Sequence, residues 1–175
     1  WETLLPLFGA ATLVCGALLA LRQSDLKLTL AYTTVASLGL LVMLTGIGTE
    51  EAIAAAALYL VAHSLFKGGL FMVAGLIDHE AGSRDMRLLS GLRRAMPLTF
   101  GAALLAAFSM AGLPLMLGFL AKEEIYGALG FADAWTSILT VAAILGNAAM
   151  FAVAFNVGLR PFVGETFHSS RPVHE

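Results

Sequence analysis

The stretch LTFGAALLAAFSMAGLPLMLGFLAKEEIYGAL (98–129) decides how the chain must fold. It is apolar almost throughout, yet as one straight helix it would run to roughly 48 Å at 1.5 Å per residue, well beyond the ~30 Å of a hydrocarbon layer. A segment of this kind has to tilt, break or fold back. Gly112, Pro114 and Gly118 lie in its middle, and Pro114, having no amide hydrogen, frees the carbonyl of Met110. Irregular backbone at membrane depth persists only where the freed polar groups find protein partners or a wet cavity, and in transporters such breaks often mark an ion path.

On either side the pattern repeats. Apolar runs long enough to span a bilayer cover 3–21, 28–47, 52–77 and 134–159, which with 98–129 makes about five spans. Of the 175 residues 59% are apolar and 13% charged, against roughly 25% charged in soluble domains, and the mean hydropathy is +0.86. An ordinary soluble domain is excluded. The expected fold is all-α: a polytopic transmembrane bundle over 1–163 with one broken span, followed by a polar tail over 164–175. Its solvent partner is the lipid bilayer. A net charge of -2 gives no clustered cations for a nucleic-acid backbone, so no nucleic acid is expected. The single cysteine, Cys15, fits neither a disulfide nor a metal-ligand spacing, and no phosphate loop, cysteine cluster or haem-type histidine pair is present. The expectation is no cofactor and no metal.

The cations are distributed unevenly. Arg22, Lys27, Arg84, Arg87, Arg93, Arg94, Arg160 and Arg171 all fall in links on one side of the bundle, and the opposite links carry no Lys or Arg. By the positive-inside rule the amino terminus faces outward and the carboxyl terminus the cytoplasm. Two of the ten cations are left over, Lys67 and Lys122.

Lys67 sits about ten apolar residues, or ~15 Å, from the nearer end of its span, too deep for its side chain to reach the interface. Cations at that depth face a bundle interior or a water-filled cavity. His63 lies four residues before it and Tyr59 eight, so the three share one helical face, with Ser64 adjoining. A lysine in a low-dielectric interior can exist neutral and so can accept and return a proton. The plain alternative is that these groups only hold neighbouring helices together. Lys122 permits two readings. It lies either in the first turns of a second half-helix, where the dipole disfavours a cation, or at the outer interface with Glu123 and Glu124 as the span ends near Ala121. Glu123 and Glu124 are the only acidic residues near membrane depth, and beside a lysine they make a weak cation site. Thr33, Thr34, Ser37, Asn147 and Asn156 serve equally as interhelical glue or path lining.

The segments DLKLTLAYTTVASLG (25–39), LYLVAHSLFKGGLFMVAG (58–75), SGLRRAMPLTF (90–100) and AGLPLMLGFLAKEEIY (111–126) resemble, in order, the antiporter-like membrane subunits shared by Mrp-type cation/proton antiporters and respiratory complex I. DHEAGSRD (78–85) is more similar to the A-type subunit of the Mrp antiporter than to the large complex I homologue. The resemblance implies one of the family's two inverted five-helix repeats, each with a broken helix. It implies that His63 and Lys67 match the His and Lys of the central hydrophilic axis, and that Lys122 matches the broken-helix Lys of the proton path opening outward. Tyr59 stands where some relatives carry a further His. The implied activity is that of a transporter component rather than an enzyme: Na⁺-coupled proton exchange by a hetero-oligomer of membrane subunits in a bacterial plasma membrane. Two rivals are a proton-pumping subunit of NADH-quinone oxidoreductase or a related hydrogenase, and a purely structural subunit.

Overall fold

The computed structural model describes residues 1–164, and it is all-helical; the remainder of the tail expected over 164–175 lies outside the described residues. Six α-helices follow one another: α1 (Leu4–Leu21), α2 (Leu26–Ile47), α3 (Glu50–Ala81), α4 (Pro97–Ala111), α5 (Leu117–Leu129) and α6 (Ala134–Leu159). Helices α1, α2, α3 and α6 are long and apolar enough to cross a bilayer. The fifth expected span is divided into α4 and α5, each roughly 20 Å long. Helix α3 runs beyond 52–77 at both ends.

Local chemistry sets the ends. Asp25 caps α2 by accepting from the Leu28 amide at 2.9 Å, and Thr49 caps α3 by accepting from the Ala52 amide at 3.2 Å. At α6, Asp133 and Thr136 form a reciprocal capping box. Because Asp133 takes hydrogen bonds from the Thr136 amide and hydroxyl, its carboxyl is held below the usual carboxylate range. Pro97 opens α4, where its missing amide hydrogen is no loss.

Apolar side chains cover the outside of the bundle as well as filling its interior. Leu60, Leu65, Met72, Leu105 and Leu145 are exposed, whereas Thr33, Ser37, His63, Lys67 and Asn147 are buried. Hydrocarbon rewards burial of an apolar side chain hardly at all, so close van der Waals contact and interior polar bonds hold such helices together. Helices α1 and α2 meet backbone to backbone where Gly9 faces Gly39 and Met43.

The link between α3 and α4 is more than a solvated polar connection. Met86, Leu89, Leu92 and Met96 are buried, and the segment is bolted to the α1–α2 link. The Leu26 amide donates to the Arg84 carbonyl at 2.9 Å and the Met86 amide to the Ser24 carbonyl at 2.8 Å, forming a small bridge between Asp25 and Asp85. Lys27 pairs with Asp78 at 2.7 Å, and Arg84 reaches Asp25 at 3.2 Å. A turn at Leu92–Arg94 then ties onto the end of α6, through the Leu92 amide to the Pro161 carbonyl and the Arg93 amide to the Phe162 carbonyl, both at 3.3 Å. The Arg87 side chain and amide beside Asp85 hold its carboxyl down at about 2, below its ordinary 3.8. What this contact adds to stability is therefore fully present above about pH 4 and is lost as pH falls through about 2.

The break contains the tightest backbone approach. A Cβ on Gly118 would overlap the Ser109 carbonyl, while one on Gly127 of the same helix would meet nothing within 4 Å. Gly118→Ala is accordingly expected to lower stability by about 1–3 kcal/mol through forced overpacking, and Gly127→Ala to leave it unchanged or slightly raise it. Thermal unfolding of the purified full-length complex carrying either change would test this contrast.

Candidate functional site

The stripe on α3 lies against α2. Tyr59, His63 and Lys67 are buried, at 1%, 7% and 4% exposure, because they fall on the same face as Ala52, Ala55, Ala56, Ala62, Phe66 and Leu70. The helices run antiparallel, and α2 offers its own polar stripe at the same four-residue spacing, Thr29, Thr33 and Ser37. The Tyr59 phenol shares a hydrogen bond of 2.9 Å with the Ser37 hydroxyl. Two turns further along α3, the Lys67 ammonium donates to the Leu30 carbonyl at 2.7 Å and to the Thr33 hydroxyl. The Thr33 hydroxyl in turn donates toward the carbonyls of Thr29 and Leu30. Phe71 offers Lys67 its ring face at 5.9 Å, near the outer limit of a cation–π contact.

His63 stands between the two bonded ends. Its ring is held by Tyr59 at 6.0 Å and by the edge of Phe66 at 5.4 Å, and its Nδ1 has no hydrogen-bond partner among the described residues. A buried ring nitrogen of this kind is an open donor or acceptor position within a face that is otherwise hydrogen-bonded.

The second lysine sits at the break. Helix α4 ends in a left-handed Gly112, φ +82°, whose amide donates to the carbonyls of Phe108 and Ser109, while the Leu113 amide also reaches Phe108. This leaves the carbonyls of Met110 and Ala111 without helical donors. The Lys122 ammonium supplies them, at 3.1 and 2.9 Å. Its side chain crosses Gly112, where a Cβ would lie 2.8 Å from the lysine Cδ, so glycine is required for two reasons. Pro114 and Leu115 form the apex, and Leu115 adopts a left-handed φ of 73° although it is not glycine. Lys122 is the sixth residue of α5, and the helix continues to Leu129, so the reading in which the span ends near Ala121 is set aside. Lys122, Gly112, Phe119, Glu123 and Tyr126 line an open cavity of about 350 Å³.

The structure brings His63, Lys67 and Tyr59 together and places Lys122 on the break that Gly112, Pro114 and Gly118 create. It does not join Ser64 and Glu124 to them, and Glu123 shares only a cavity wall with Lys122. Ser64 points away from the stripe, exposed, with its hydroxyl returned to the Leu60 carbonyl at 2.8 Å, because one residue along a helix is a rotation of about 100°. Glu123 and Glu124 are exposed, and Glu123 reaches only the cavity wall. Thr33 and Ser37 proved to be the partners of the α3 groups; the signal was the matching spacing of two polar stripes on consecutive spans.

Residues 1–157 match the family described as NADH:quinone oxidoreductase/Mrp antiporter, TM. The chain belongs to this family. Within it, the chain is 47% identical over 143 residues to the A-type subunit of the Na⁺/H⁺ antiporter of Alkalihalophilus pseudofirmus, covering 74% of the present chain and 18% of that relative. It is 42% identical over 158 residues to a probable K⁺/H⁺ antiporter protein of Rhizobium meliloti, a combined A/B-type subunit, covering 90% of the chain and 16% of the relative. Among solved structures, the Mrp complex from Dietzia sp. DQ12-45-1b superposes with a TM-score of 0.85 at 40% identity, over 91% of the chain and 18% of its counterpart there. The membrane-bound sulfane sulfur reductase, an archaeal respiratory complex, superposes with a TM-score of 0.83 at 29% identity, over 94% and 27%. The chain thus spans less than a quarter of the curated relatives named here. It is a multi-pass membrane domain of the antiporter-like family.

If Thr33 serves chiefly to hold the Lys67 ammonium, Thr33→Val should cost about 1.5–3 kcal/mol, the range for hydrogen bonds to charged groups, and Thr33→Ser should restore it. In a Lys67→Met background the same Thr33→Val change should cost almost nothing. A thermal double-mutant cycle on the assembled complex measures that coupling.

Proposed function

We propose that this domain, residues 1–163, belongs to the A-type subunit of a multisubunit Mrp-type antiporter and carries protons in exchange for a monovalent cation, with Na⁺ as the first expectation. One observation carries the reading. Two lysines within the helix bundle, Lys67 and Lys122, bond only to carbonyl and hydroxyl oxygens, and among the described residues neither has a carboxylate partner. Ionisable groups inside a membrane bundle pair with one another or, as here, with backbone carbonyls, and by default they mark ion and proton pathways. Bound only to neutral oxygens, an ammonium can release its proton without leaving a buried anion behind. His63, with its open ring nitrogen one turn from Lys67, is the natural next acceptor on that face, and Tyr59 continues the hydrogen-bonded stripe through Ser37.

The relatives support a role within a complex of further membrane subunits, and the K⁺/H⁺ name of one of them makes the cation itself an object of measurement. The second reading, a proton-pumping subunit of an oxidoreductase, is favoured by the likeness to the archaeal respiratory complex. The two part company in proteoliposomes bearing the full complex without any electron donor. Proton movement driven there by a Na⁺ or K⁺ gradient supports the antiporter, and no exchange with either cation overturns it. Lys67→Met should abolish exchange while leaving thermal stability equal or higher, because the methionine occupies the same path without a buried charge and the Thr33 hydroxyl keeps its helical acceptors. Wild-type exchange by an assembled Lys67→Met complex would sink the proton role of this lysine.

For orientation, we propose from the positive-inside rule that the carboxyl-terminal end of α3 and the turn at 92–94 face the cytoplasm. With Cys15 replaced by alanine, Ala132→Cys should react with an impermeant maleimide on intact cells and Ala95→Cys only after lysis. The reverse pattern would invert the topology.

A further inference from the structure

The space around Lys122 continues between α5 and α6, where Ala111, Lys122, Tyr126, Ile144, Asn147 and Phe151 are among the residues that wall a cavity of about 390 Å³. Asn147 is 4% exposed. Its Nδ2 donates to the Tyr126 phenol at 3.0 Å, and its Oδ1 has no partner among the described residues. Whichever way the amide is turned, one of its polar atoms is used by the phenol and the other is left over in the interior. With Nδ2 donating, the hydroxyl hydrogen of Tyr126 is uncommitted as well.

Lys122 shows the same incompleteness. An ammonium has three hydrogens, and the Met110 and Ala111 carbonyls take two. Tyr126 lies four residues on, along the same face of α5, so a spare ammonium hydrogen and a spare phenol hydrogen border one cavity, with the unpartnered amide oxygen of Asn147 buried behind them. That space has room for several waters at roughly 30 Å³ each. Helix α5, which carries Tyr126, packs against α3, which carries Tyr59, His63 and Lys67.

We infer that Asn147 and Tyr126 form a water-holding pair that connects the Lys122 cavity to the Tyr59, His63 and Lys67 stripe, as positioning residues for proton movement between the two lysines. This rests on the transport reading above. Neither residue carries the proton's charge; the pair fixes where water stands between groups that do. If it were only glue between α5 and α6, its loss would reduce the amount of folded complex and nothing else.

The test uses proteoliposomes with the full complex, driven by a Na⁺ or K⁺ gradient and normalised to assembled protein. Asn147→Leu, close to isosteric, and the smaller change Tyr126→Phe are each expected to slow exchange at least tenfold and to shift its pH profile. Asn147→Asp, which restores an acceptor, should recover part of the rate, and the double variant should be no slower than Asn147→Leu alone. Wild-type rate per complex and an unmoved pH profile in both single variants, with Lys122→Ala inactive, would overturn the pair and leave the transport reading standing. Normal exchange by Lys122→Ala would instead overturn the reading on which the pair depends.

Discussion

A polar group at membrane depth must find its partner inside the protein, since hydrocarbon offers none. The arrangement of this chain follows from that constraint. Four helices satisfy their own backbones and turn leucines outward. The side chains that cannot be left to lipid are gathered on inner faces, Thr33 and Ser37 against Lys67 and Tyr59, and Asn147 against Tyr126. Where the backbone is irregular, between α4 and α5, a lysine side chain replaces the missing amides. A cation is thus stabilised by an otherwise unfavourable break, and the break by an otherwise unfavourable cation.

The fold was largely legible because hydropathy and length are one-dimensional signals. A run of about 20 apolar residues crosses or it does not, and 98–129 was too long to do so unbroken. Pro114 even foretold which carbonyl would be released, since the ring removes a donor four residues from its acceptor. Which group would answer the Met110 carbonyl was not legible: Lys122 is twelve residues away, and only the sideways step of α5, set by Gly112 and the close contact of Gly118 with Ser109, brings it back. The α3 stripe was readable from its spacing, as was its burial. Its partners were visible only as ordinary hydroxyl residues, because the antiparallel register that pairs Ser37 with Tyr59 and Thr33 with Lys67 is a property of two helices together. Ser64 went the other way: adjacency in sequence suggested adjacency in space, and the helical rotation separates them.

The charged end of the bundle obeys different physics. Lys27, Asp78, Arg84 and Asp25 are each partly exposed, so their ion pairs are individually weak and screened by salt. They gain effect from sitting on a backbone bridge that joins the α1–α2 link to the α3–α4 link, with a second tie to the end of α6. At that end helix positions are set by several cooperating polar contacts, whereas α5 is positioned by its packing against α3 and by the close approach of Gly118 to Ser109.

The Lys122 ammonium makes the joint between the half-helices a chemical one. Protonated, it offers charge-assisted bonds to two carbonyls and keeps a third hydrogen; as a neutral amine it has only two hydrogens and weaker bonds to give. Proton occupancy and the geometry of the hinge are therefore linked variables, and by reciprocity a free-energy change imposed on either is felt at the other in equal measure. A helix break held by hydrocarbon packing alone would have no such linkage. In this chain the two carbonyls at the break are held by a group whose bonding capacity depends on its proton.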